Sequence, residues 1–225
     1  MAFRNWLYGQ VRSISERFGY QEWEAPILER LELYAAKSGE ELVKEQAFVL
    51  KDRGGDELAL RPELTPSLAR LIAQRQGSLS LPVRWFSFGP FWRYERPQRG
   101  RTREFFQWNI DLLGSDSPSA DGELISIAAM FLRNVGLTAG EVAIHVNSRQ
   151  LIDQKLAEIG VGADRRLDML HLIDRRDKMQ PAAWEAWAVD LGLSAGQLAG
   201  LKALLDSTEL WCESDELCQV FAVAQ

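Results

Sequence analysis

Cysteine and histidine are scarce, with two of each in 225 residues. Cys212 and Cys218 have no Cys or His pairs beside them, so zinc-ligand spacing is missing. They read as two reduced thiols on a helix. Long apolar runs are missing too. None reaches the ~18 residues that a membrane span needs. The first residues, MAFRNWLYGQVRSISERF, carry charge too early and too often for a secretory signal. Net positive charge is the fourth absence. The formal charge is −6 and the pI about 5.1, which argues against sequence-independent coating of nucleic acid. Local basic patches stay open. There is no internal repeat and no low-complexity tract. These exclusions leave a globular, cytoplasmic protein with no metal site and no membrane partner as the expectation.

What is present is a chain that is 46% hydrophobic, enough to bury a core. Phe3, Trp6, Leu7, Val11, Ile14 and Phe18 fall near one helical face, and Gly19 stops that helix. YQEWEAPIL reads as a short strand running into Pro26. AFVLKDRGGDELAL reads as a hairpin turning on Gly54 and Gly55. Thr65 followed by Pro66 reads as a helix start with a hydroxyl cap and proline at the first position. That helix turns Leu68, Leu71 and Ile72 inward. VRWFSF (83–88) and Arg103–Leu113 read as paired strands, Ser119–Val135 as a helix and VAIHV (142–146) as a strand. After Ser148 the pattern is helical, with Leu156, Ile159, Leu167, Leu170, Ile173, Trp184, Trp187, Leu191, Leu198, Leu201 and Leu205 as its core. Trp211 reads as a further packing residue. The shift in composition near 147–160 marks a candidate boundary, giving domains 1–150 and 151–225.

Five arginines fall between Arg93 and Arg103 in GPFWRYERPQRGRTREFFQ (89–107). A hairpin would bring its strand ends together and let arginines near the turn converge. Guanidinium groups bind phosphate oxygens bidentately, which suits a polyphosphate. Phe105 on the return strand could face a nucleobase. Two other readings remain: a solvated turn whose arginines pair with Glu95 and Glu104, and a basic patch for RNA. Glu63 in RPELTPSLAR stands before a helix, where it could meet a ligand ammonium or simply favour the helix dipole. Gln107 and Asp111 share one strand face. A buried Asp111 would want a cationic or imidazole-bearing partner. The alternative is an edge strand with its polar face in water. His145 and His171 have no acidic or thiol partner at a telling spacing.

RPELT, GPFWRYERPQRGRTREFFQ, DLLGSDSPSADGELI and HVNSRQLID, in this order and spacing, resemble the catalytic domain of histidyl-tRNA synthetases, which are class II aminoacyl-tRNA synthetases. The match covers most of residues 18–160. The resemblance implies an α+β fold, an antiparallel sheet flanked by helices, followed by a smaller helical region. YQEWEAPILE, with Pro26, is similar to motif 1 at a homodimer interface, and the 93–107 hairpin is similar to motif 2. Arg93 would be the catalytic residue, touching the ATP α-phosphate and the histidine carboxylate. Glu95 would hold adenine, Arg101 the distal phosphates, and Phe105 would stack on adenine. Glu63 and Thr65 would take the α-ammonium of histidine, with Gln107 and Asp111 lining its pocket. The implied activity is histidine–tRNA ligase: ATP with Mg²⁺ activates histidine to the adenylate, which passes to tRNA(His).

The resemblance also implies segments that these 225 residues do not contain: motif 3, GLDYYTG-like and GGGRYD-like strings, and an anticodon-binding domain. Residues 1–150 would then be a partial catalytic domain carrying motifs 1 and 2, and 151–225 an insertion-like helical domain that clamps tRNA. Two alternatives stand beside the ligase. One is a synthetase-like regulatory subunit of ATP phosphoribosyltransferase in histidine biosynthesis, against which the intact RYERPQRGR string counts. The other is a non-catalytic tRNA-binding or dimerisation module.

Overall fold

The computed structural model describes residues 1–35, 46–96, 98–207 and 214–224. It divides into two compact units, Met1–Val142 and a second that begins at Ala143.

The first unit is built on two three-stranded sheets. In one, β1 (Gln21–Glu22) runs parallel to β5 (Val83–Trp92), which pairs antiparallel with β6 (Glu104–Leu113) from Val83↔Leu113 to Trp92↔Glu104. In the other, β4 (Glu57–Leu60) lies between β2 (Leu28–Arg30) and β3 (Phe48–Lys51), antiparallel to both. The β3–β4 turn forms as its composition predicts. Asp52 Oδ1 accepts from the amides of Gly54 and Asp56 at 2.7 and 2.9 Å, and Gly55 takes φ +92°, open to glycine at no steric cost.

Alternation sets the two faces of the β5–β6 ribbon. Phe86, Phe88, Trp108, Ile110 and Leu112 pack against Val11 and Ile14 of α1 (Ala2–Arg17) and Ile127 and Phe131 of α4 (Pro118–Asn134). The opposite face carries Phe91 and Phe105, which pack with Ala25 and Leu64. Helix α2 (Leu31–Ala35) follows β2, and α3 (Thr65–Arg75) follows β4.

The second unit is helical: α5 (Arg149–Glu158), α6 (Arg166–Arg175), α7 (Pro181–Asp190), α8 (Ala195–Asp206) and α9 (Asp215–Ala224). Its core centres on Leu156, Met169, Leu172, Trp184 and Leu201. The Trp184 indole N–H donates to the Leu172 carbonyl at 2.7 Å, so this tryptophan is a packing residue, and Trp187 packs partly against the same core. Ser148 caps α5 through the Leu151 amide, and Ser194 with Gln197 forms a capping box on α8.

Four expectations are corrected. VAIHV forms no strand and pairs with none among the described residues; apolar β-branched residues do not make a strand without a neighbour to complete the ladder. Thr65 is the first residue of α3 rather than its cap; the N-cap is Leu64, without a side-chain bond. Leu167 is 71% exposed, because the buried face of α6 is set by Met169 and Leu172 and Leu167 lies about 200° from Met169 on the helix. Phe3 and Trp6 are exposed on α1, whose burial begins at Val11. Cys218 is exposed on α9, His145 and His171 are both exposed, and Cys212 and Trp211 lie outside the described residues.

One polar knot joins α4, β5 and the connection between α1 and β1. Glu123 on α4 takes two bonds from Arg84 on β5, at 3.0 and 3.1 Å, and one from the Tyr20 hydroxyl at 2.7 Å. The Arg84 bonds hold the Glu123 carboxyl below its ordinary range. Burial, then the bond to Glu123, pushes the Tyr20 hydroxyl up. A depressed carboxyl contributes stability above its unfolded pKa and loses it as pH falls through the folded value. Glu123→Ala is therefore expected to lower unfolding free energy by about 2 kcal/mol at neutral pH. In urea titrations the gap to wild type should shrink below about pH 4. A gap that stays constant into acid would show that the carboxylate charge is not what holds the knot.

Candidate functional site

The β5–β6 ribbon continues past its regular ladder into the arginine-rich turn. The Arg93 amide donates to the Arg103 carbonyl at 3.0 Å, and Gln98 and Arg101 bridge across a tight bend. Gly100 occupies that bend at φ +81°, a backbone state that a side chain would strain. The bend sets Arg101 back toward the strand ends.

A cleft of about 450 Å³ opens there, lined by Gln46, Arg93, Glu95, Gly100, Arg101, Thr102 and Phe105. Arg93, Glu95, Arg101 and Phe105, singled out from sequence as one group, thus share one cavity. Arg93 is the most constrained of the cations. Its Nε donates to the Pro62 carbonyl at 3.0 Å, and its guanidinium carbon lies 5.3 Å from the Phe105 ring centre. Phe105 is itself stacked on Phe91 at 6.1 Å. Arg101 pairs with Glu95 at 3.4 Å, an exposed contact of the kind worth ~0–1 kcal/mol.

The arginines do not all converge. Arg103 lies over Tyr94, 4.2 Å from its ring centre, and Arg96 and Arg99 are exposed. Glu104 takes the Trp92 indole N–H at 3.2 Å rather than an arginine. The turn therefore combines a two-arginine cleft, which holds the Arg101–Glu95 ion pair, with a solvated rim.

Glu63 sits in the loop between β4 and α3, next to the Pro62 carbonyl that holds Arg93. Neither it nor the exposed Thr65 lines the cleft. Gln107 and Asp111 follow Phe105 on the same face of β6, opposite Gly89 and Trp85. Burial pushes the Asp111 carboxyl above its ordinary range. Pro26 is exposed between β1 and β2, followed by Ile27 and Leu28, which with Val49 and Leu50 on β3 are large apolar residues left at the surface.

Sequence reasoning missed Arg61, which is fully buried. Its Nη1 bonds Glu24 and, at 3.0 Å, the Ala25 carbonyl; its Nε donates to the Pro90 carbonyl at 2.9 Å. The guanidinium lies 4.9 Å from the Phe91 ring centre. Nη2 is buried without a partner among the described residues and lies where a Cβ on Gly89 would fall. Glycine at 89, between larger residues on a strand, is the sequence signal that a side chain approaches closely.

Gly89→Ala is expected to cost about 1–3 kcal/mol by overpacking against Arg61. The same change made on Arg61→Ala should cost clearly less, because the obstructing group has gone. Denaturant midpoints of the four proteins in this cycle measure the coupling, and strictly additive costs would place the clash elsewhere.

A family profile described as histidyl-tRNA synthetase matches residues 1–222. The chain is 43% identical over 179 residues to the chloroplastic/mitochondrial histidine–tRNA ligase of Arabidopsis thaliana, covering 80% of this chain and 37% of that protein. It spans half or less of the length of the curated relatives it matches. Among solved structures, the histidyl-tRNA synthetase of Nostoc sp. superposes with a TM-score of 0.79 at 20% identity, over 99% of this chain and 54% of that one. A Bacillus halodurans protein described as an ATP phosphoribosyltransferase regulatory subunit/histidyl-tRNA synthetase gives 0.76 at 22% identity, over 97% and 59%. At these identities the structural likeness speaks for the fold: an α+β, class II synthetase-like sheet flanked by helices, with a smaller helical region after it.

Proposed function

The chain belongs to the histidyl-tRNA synthetase family, and from that premise we propose that its first unit supplies the ATP- and histidine-binding part of a histidine–tRNA ligase. The observation that carries this reading is the shared cleft of Arg93, Glu95, Arg101 and Phe105. Two guanidinium groups and a flat ring in one cavity match the phosphates and the base of a nucleotide.

ATP enters as its Mg²⁺ complex, the metal screening the phosphate charge. The carboxylate of histidine attacks the α-phosphorus, a P–O bond forms to that carboxylate, and pyrophosphate leaves with the electrons of the broken bond. Negative charge grows on the α-phosphoryl oxygens. Arg93, held by the Pro62 carbonyl and the Phe105 ring, is a donor already in position as that charge develops. Arg101 exchanges Glu95 for the distal phosphates, and Glu95 is then released toward adenine. Phe105 offers its ring to the base. Glu63 and Thr65 meet the α-ammonium group, and Gln107 and Asp111 take the side chain. In the second half-reaction the terminal ribose hydroxyl of tRNA(His) attacks the adenylate carbonyl, and AMP leaves.

The working species in this reading is a cytoplasmic homodimer. The apolar strip of Leu28 and Leu50, exposed on one face of the sheet that follows Pro26, supports that assembly. Leu28→Asp should move the sedimentation coefficient from dimer to monomer; an unchanged value would remove the strip from the interface.

The test of the site is ATP binding by calorimetry. Arg93→Ala should abolish measurable binding, and Arg101→Ala should weaken it by roughly tenfold, the scale of one charge-assisted bond. In a full-length relative carrying these residues, the Arg93 substitution should also abolish histidine-dependent pyrophosphate exchange. Histidine binding with no ATP binding would favour the regulatory-subunit reading, and tRNA binding without either small ligand would favour the tRNA-binding module.

A further inference from the structure

Strand alternation places a third polar residue, Asn109, between Gln107 and Asp111 on the same face of β6. All three are partly buried. Among the described residues, none of these side chains makes a hydrogen bond or ion pair. Half-buried polar groups without partners are costly unless something supplies the missing bonds. The facing strand is graded in size. Gly89 stands opposite Gln107, the buried Ser87 opposite Asn109, and Trp85 opposite Asp111. Cross-strand side chains on one face share space. The Arg61 guanidinium takes the space that Gly89 leaves beside Gln107, so the row is bounded by that cation at one end, by an indole beside the carboxylate at the other, and has its smallest neighbour, Ser87, opposite Asn109. Trp23 leans on that indole at 5.9 Å and stiffens that end.

Resting on the histidine-binding reading above, we infer that Asn109 is a specificity-determining residue whose amide donates to one ring nitrogen of the ligand while Asp111 accepts from the other. A neutral imidazole needs one donor and one acceptor. The row presents one acceptor-only group, Asp111, with an amide two residues away. Two residues of strand span about 7 Å, the reach of two hydrogen bonds of ~2.9 Å set at an angle across a small ring. A second carboxylate at 109 would suit an imidazolium, and an apolar residue would suit a benzene ring. The substrate class read by this floor is a neutral five-membered ring with one N–H and one bare nitrogen.

The experiment is calorimetry on the full chain with L-histidine and its two ring-N-methylated forms, for wild type, Asn109→Leu and Asn109→Ser, with ATP as a separate ligand. Wild type should bind histidine and lose about tenfold or more for each methylation. Asn109→Leu should weaken histidine by a similar factor and erase the penalty for methylating one of the two nitrogens. A purely structural role would lower all three ligands together and erase nothing. Asn109→Ser removes the amide with less change in volume, and its result decides if the leucine variant does not fold. Equal histidine binding by wild type and Asn109→Ser, or two methylation penalties left unchanged, overturns the inference. So does wild-type binding of ATP without histidine, which leaves the nucleotide cleft standing. Failure of the nucleotide reading is registered separately, by ATP binding that ignores Arg93→Ala.

Discussion

Everything in the first unit that bears on the cleft depends on one buried guanidinium. Removing a charge from water costs several kcal/mol unless its hydrogen bonds are replaced. Arg61 replaces most of them with two main-chain carbonyls, Ala25 and Pro90, and with Glu24. Glu24 is itself 59% exposed, so water weakens that attraction, and the two carbonyls and the Phe91 face carry much of the fit. The main chain of the same residue links the two sheets. Its amide donates to the Ile27 carbonyl at 2.9 Å, beside β2, and its carbonyl accepts from the Trp92 amide at 3.1 Å, at the end of β5. The next residue is Pro62, whose carbonyl fixes Arg93. One arginine thus sets the spacing between the sheets, and the chain leaving it aims a second.

The arrangement explains why so much small and rigid chemistry surrounds it. Gly89 must be glycine because Arg61 occupies the space of a Cβ. Pro90 lends its carbonyl and, having no amide, needs no ladder acceptor. Phe91 and Phe105 stack edge of strand to edge of strand, and each carries an arginine on its ring. Each of the two cations thus has its own ring of the stacked pair as a counter-interaction.

Much of this was legible in the sequence, and the parts that were not share a cause. The β5–β6 ribbon, the Gly54–Gly55 hairpin and the helices after Ser148 declare themselves by alternation, turn residues and 3.6-residue spacing. The grouping of Arg93, Glu95, Arg101 and Phe105 followed from the hairpin and from the family resemblance. Arg61 was not legible, because an arginine in a loop two residues from a carboxylate reads as surface, and its burial is decided by segments distant in sequence, around Glu24–Ala25 and Gly89–Phe91. VAIHV looked like a strand because propensity is local, while a ladder needs a partner. Leu167 looked like core because a helix rich in leucine fits more than one phase. Asn109 was within reach: the even spacing that linked Gln107 to Asp111 passes through it.

The two arginines of the cleft are held by different kinds of contact, and that difference suits the chemistry. Arg93 is fixed by a main-chain bond and a ring, neither of which a phosphate displaces. Arg101 is held by Glu95 through an exposed pair, 64% open to solvent on the arginine side. Such a pair contributes ~0–1 kcal/mol, whereas a guanidinium on a phosphate makes shorter, charge-assisted and often bidentate bonds. Arg101 can therefore change partner at little cost when a polyphosphate arrives, while Arg93 keeps its place. Stabilising a transition state calls for a donor that does not reorganise as charge builds. Admitting and releasing a triphosphate calls for one that does. The cleft has one of each, and the Glu95 carboxylate keeps the movable cation near the ribbon until an anion replaces it.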